Sequence, residues 1–159
     1  MSNLSREELG VMMEAGYVYL GMQRFKEARD VFEGVISLAP ESEIPYIAAG
    51  SVDFCQGKFT NAIRRYKRAL KLIPNSVYAL AYMGEAIFFM GKKAEAVKIL
   101  NDVSARDPDG KAGDFARALL SAINKGFTAR QLSGVDEIRE YVKKKEAPRQ
   151  SSGQAGSRK

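Results

Sequence analysis

A chain of 159 residues with 45% apolar content has the length of one folded domain, and its net charge of +6 looks like a nucleic-acid signal until the charge is located. Between residues 142 and 159 there are six basic residues and one acid, whereas the rest holds 19 basic and 18 acidic residues, so the body is close to neutral. Histidine is absent and cysteine occurs once, which excludes Ser–His–Asp and Cys–His nucleophile systems, His-based metal sites, zinc clusters and an internal disulfide.

No stretch is long and apolar enough for a membrane span, and Met1–Leu9 lacks a basic then apolar leader pattern. With the lone Cys55, these features lead us to expect a cytoplasmic protein. Ser5-Arg6-Glu7-Glu8 is a capping box, so a first helix is expected from Arg6, with Leu9, Met12, Ala15, Gly16 and Tyr19 on its apolar stripe. After a turn at Gly21–Arg24, a second helix carries Phe25, Ala28, Phe32, Val35 and Ile36 and ends before Pro40. Ser42 is the expected cap of a third helix, with Pro45 in its first turn. A fourth helix, Phe59–Leu72, follows Gly57; Asn75 or Ser76 caps a fifth; and a sixth runs from Lys93 to Ala105 after Gly91.

These helices repeat. Moving by 34 residues superimposes Gly16, Gly50 and Gly84 in the first helix of each pair, Ala28, Ala62 and Ala96 in the second, and Pro40, Pro74 and Pro108 at the close. Phe32, Tyr66 and Leu100 fall in the same register. Beyond Pro108 the period stops. Phe115, Leu119, Leu120 and Ile123 then mark a one-faced helix suited to covering the end of a stack. A further turn is expected at Thr128–Gln131, an amphipathic helix over Val135, Ile138, Tyr141 and Val142, and a disordered tail from Ala147.

A 34-residue helix–turn–helix unit with this pattern resembles the tetratricopeptide repeat. The expected fold is all-α: a right-handed α-solenoid of three repeats (9–42, 43–76 and 77–110) with a capping helix at 111–125 and a further short helix. Residues 1–126 would form the repeat domain, 127–146 a helical extension and 147–159 a basic tail. Departures are mild: Met12, Tyr46 and Leu80 stand for the usual aromatic, and Asp53 replaces an apolar residue, which puts local packing in question. Gly57-Lys58 and Gly91-Lys92 are repeat turns rather than phosphate loops, because Phe59 and Lys93 follow the lysines. No enzyme activity and no cofactor is expected.

In the repeat family, the first helix of each unit lines a concave groove. The places concerned are Gly10, Met13, Tyr17, Leu20 and Gly21; Ile44, Ile47, Ser51, Phe54 and Cys55; and Tyr78, Ala81, Glu85, Phe88 and Phe89. Only Glu85 is charged. The candidate partner-binding residues are therefore Met13, Tyr17, Leu20, Ile44, Ile47, Phe54, Cys55, Tyr78, Ala81, Phe88 and Phe89, an apolar stripe beside the one that packs the repeat. Tyr17, Ile47, Ser51 and Ala81 stand where clamps for a chain-terminal carboxylate carry lysine, asparagine and arginine, so such a clamp is disfavoured.

A small repeat protein with an apolar groove and one capping helix resembles the bacterial type III secretion chaperones of the translocator and needle-subunit groups. Gly113–Ala116 leans toward the latter. The resemblance implies a bacterial cytoplasmic chaperone that holds an aggregation-prone secretion substrate, with a second small co-chaperone or self-association as further options. The alternative is a general assembly scaffold using the six basic residues of Lys58–Lys71, which Glu27, Asp30 and Glu33 next door would partly balance. Nucleic-acid or membrane contact through the tail is a weaker option.

Overall fold

The computed structural model describes residues 3–133, which contain eight helices and no strand. They are α1 (Arg6–Gly21), α2 (Phe25–Leu38), α3 (Ile44–Cys55), α4 (Phe59–Leu72), α5 (Val77–Phe89), α6 (Lys93–Arg106), α7 (Lys111–Asn124) and α8 (Ala129–Leu132). The expected helix over Val135–Val142 and the basic tail lie outside the described residues.

Local chemistry accounts for most boundaries. The Ser5 hydroxyl accepts from the Glu8 N–H at 3.1 Å, and the Glu8 carboxylate accepts from the Ser5 N–H at 2.7 Å. Both exchanges remove an orphan donor of the first turn. Ser76 caps α5 through its hydroxyl, 3.2 Å from the Ala79 nitrogen, and Thr128 with Gln131 forms a second capping box at α8. Ser42 does not cap α3: the flanking residue is Glu43, without a side-chain cap, and Pro45 in the first turn removes one donor that would otherwise need a partner. Gln23, Gly57 and Gly91 occupy equivalent turn places at φ of 59°, 75° and 86°, so the first repeat holds a left-handed turn without glycine.

Each helix packs on the next from α1 to α7, and alternate helices also meet, α1 with α3, α3 with α5 and α5 with α7. This is the connectivity of an α-solenoid. Within each repeat, a large side chain of the second helix sits against the glycine of the first. Phe32 lies on Gly16, Tyr66 on Gly50 and Leu100 on Gly84, and all three large residues are buried. α7 takes the place of the next repeat's first helix and buries Ala116, Leu119, Leu120 and Ile123. Its Phe115 ring lies 5.5 Å from that of Tyr82. The chain through Gly126 is one compact unit; α8 belongs to a second that begins at Phe127.

Asp53 does not disturb the packing of the middle repeat. It is buried, and its carboxylate lies 3.3 Å from the Arg29 guanidinium and 3.6 Å from that of Arg65. The apolar residue usual at this place is thus exchanged for an ion-pair link between α2, α3 and α4. Asp53→Ala leaves both cations without this partner and is expected to cost about 2 kcal/mol in urea denaturation; the partial solvent contact of both arginines keeps this below the loss of a fully buried pair. An unchanged midpoint would show that the link contributes nothing to stability.

Candidate functional site

The first helices of the repeats, α1, α3 and α5, carry the expected groove stripe, and the structure divides it. Tyr17, Ile44 and Tyr78 are 47%, 46% and 42% exposed, large apolar surfaces left in water. Cys55 is exposed, and Met13, Leu20, Phe54 and Phe89 are half-buried. Ile47, Ala81 and Phe88 are buried by the chain itself. These three therefore differ from the rest of the expected stripe in leaving little surface uncovered. Ile47 belongs to a core cluster with Tyr66, Ala79 and Ala86, because α3 packs on α5 as well as on α4.

The half-buried members gather around aromatic contacts. The Phe54 ring is 5.0 Å from Phe89 in an edge-to-face arrangement and 5.3 Å from Phe59, which lies 5.7 Å from Phe89. Phe59 opens α4, outside the first-helix stripe, so repeat position alone does not reveal it. Tyr17 meets the buried Phe32 ring at 5.2 Å, while Met13 and Leu20 edge the core of the first repeat.

The electrostatics of this face centre on Glu85. Burial pushes its carboxyl up to about 7, against an ordinary value of 4.5. Its charge in turn contributes to raising Cys55, Tyr66 and Tyr82, after the larger effect of burial. The face therefore offers exposed apolar side chains, an aromatic cluster and a single costly carboxylate. Such a surface is suited to holding a polypeptide segment.

Comparisons with known proteins agree with this architecture. Family models described as tetratricopeptide repeat match residues 9–42 and 55–123. Among curated proteins, the chain is 26% identical over 109 residues to Protein CTR9 homolog of Arabidopsis thaliana, covering 68% of this chain and 10% of that protein. It thus spans about a tenth of the length of that relative. Among solved structures it resembles the Yersinia enterocolitica type III secretion translocator chaperone SycD, with a TM-score of 0.67, 16% identity, and 74% of this chain and 91% of that chain covered. It is also similar to PcrH in complex with the chaperone binding region of PopD (TM-score 0.65, 16% identity, 79% and 97% covered). A third likeness is to the first repeat domain of Spaghetti (RPAP3) bound to an HSP90 peptide (TM-score 0.64, 22% identity, 79% and 97% covered). At these identities the structural likeness is one of fold. With the period, the glycine–ring packing and both family-model matches in agreement, the chain belongs to the tetratricopeptide-repeat proteins.

Proposed function

We propose that this protein is a non-catalytic chaperone or adaptor that holds an apolar helical or extended segment of a partner protein against the face of α1, α3 and α5. The observation that carries the reading is the exposure of Tyr17, Ile44 and Tyr78 at successive repeats, beside the Phe54–Phe59–Phe89 cluster. Uncovered apolar residues of this size cost free energy that a partner segment would recover on binding. The partner we propose is a bacterial type III secretion substrate, a translocator or a needle subunit, held in the cytoplasm before export. SycD, with the same fold, is by description a type III secretion translocator chaperone, and PcrH is seen in complex with the chaperone binding region of PopD, which supports this choice. Val11 and Val18 on α1 and Met22 just after it, all exposed, supply the place for a co-chaperone or a second copy.

Ile44→Glu combined with Tyr78→Glu tests the groove. Both side chains are exposed, so helicity should be retained while co-purification of the partner from the native cell is lost. A partner that still travels with the doubly charged variant places binding elsewhere. Phe88→Glu is unsuitable for this test, because it puts a charge into the core and is expected to unfold the third repeat.

A further inference from the structure

An open cleft of about 690 Å3 lies along α4 and reaches α2 and the Tyr46 and Asp53 side of α3. Seven of its ten lining residues are basic, and the one acid among them, Asp53, is already held by Arg29 and Arg65. The acids of α2 do not balance the rest. Glu33 reaches Arg65 at 2.7 Å, but Glu27 is taken by Arg24 at 2.7 Å, and Asp30 lies 3.7 Å from Lys26 of its own helix. Among the described residues, Lys58, Arg64, Lys67, Arg68 and Lys71 have no acidic partner. Arg64 with Arg68, and Lys67 with Lys71, set like charges one turn apart, where they repel. The helix thus carries an electrostatic cost that its own fold does not offset.

We propose that this cleft is a second docking site, for an acidic polypeptide segment. Arg64, Arg68 and Lys71 run along one face of α4 over about 10 Å, a span that matches carboxylates on successive turns of a facing helix. Arg29, Arg65 and Asp53 form a braced floor, so the site is held in place before a ligand arrives. The basic stretch 142–159, with six bases and one acid, has the wrong charge to fill such a cleft. Nucleic acid fits less well: the only aromatic in the lining, Tyr46, is buried and donates its hydroxyl to the Pro40 carbonyl at 3.3 Å, leaving no ring on which a base could stack. Such a site would let the protein hold one partner on the first-helix face and a second, acidic one on α4, and it stands independently of the groove.

The test uses the full chain and a short fluorescent peptide with glutamates at helical i, i+3 and i+4 spacing, read by anisotropy. Binding that weakens as salt rises is expected, together with a further loss of roughly tenfold or more for Arg64→Glu/Arg68→Glu. Both side chains are exposed, so circular dichroism should be unchanged. Lys98→Glu on α6 and Tyr78→Glu in the groove should leave binding intact, which separates this proposal from the groove reading. Equal loss in either control, no binding of the acidic peptide, or equal binding of its glutamine counterpart would overturn it. So would a single-stranded oligonucleotide of the same charge that binds more tightly and loses affinity with the same arginines.

Discussion

Glu85→Gln is expected to make the folded protein more stable at about pH 8, by as much as ~3 kcal/mol, and to flatten its dependence on pH. The folded carboxyl titrates at about 7, against 4.5 ordinarily, because burial disfavours its charged form. Below the lower value it is protonated in both states and costs nothing. Between the two values the folded chain binds a proton that the unfolded chain has released, so stability falls as pH rises. Above about 7 the cost is fully present. Residual solvent contact makes the figure a ceiling. Urea denaturation of both proteins at several pH values measures it: the wild-type midpoint should drop through this window while the glutamine variant stays level. Parallel curves would show that the carboxylate is well solvated. A partner segment that places a cation on Glu85 would remove the penalty, and binding would then become stronger, not weaker, as pH rises.

The second large effect is Gly50→Leu. A Cβ at this position would stand 2.5 Å from Tyr66 Cε1 and 2.9 Å from Cδ1, distances at which something must shift. The Tyr66 ring has little room to give, since it is buried and faces the Tyr82 ring at 6.2 Å with the two planes inclined by 30°. The whole leucine side chain adds to this overpacking, so a loss of about 3 kcal/mol is expected in thermal or urea denaturation. Two glycines of the same chain calibrate it. Gly84→Ala meets the branched end of Leu100 at 3.0 Å and should cost less, whereas Gly10→Ala meets nothing within 4 Å and should be neutral or slightly stabilising. A neutral Gly50→Leu would contradict the packing of α3 on α4.

Much of the architecture is legible in the residues because its causes are local. Ser5 with Glu8, Ser76, the turn glycines Gly57 and Gly91 and the closing prolines act within a few positions of themselves, and they set where helices start and stop. The 34-residue return of Gly50 and Tyr66 then requires one pairing of helices repeated along a stack. The cap helix follows from the same logic, since the last repeat would otherwise leave an apolar face in water.

The candidate site was less legible, and the residues that differ show why. Ile44 and Ile47 read alike along the chain, yet one is exposed and the other buried, because burial depends on how closely α5 approaches each turn of α3. Asp53 reads as a packing fault until Arg29, 24 positions away, is seen against it. Glu27 and Asp30 read as counter-ions for α4, but they pair locally, with Arg24 just before α2 and with Lys26 in its first turn. The sequence by itself determined the repeat, its helices, its capping end and the apolar character of the first-helix stripe, all consequences of short-range periodicity. Only the tertiary structure decided which side chains of that stripe remain uncovered, that Glu85 is desolvated and that the cations of α4 other than Arg65 lack an acidic partner among the described residues. Those properties arise where separate helices meet, and no spacing along one helix records them.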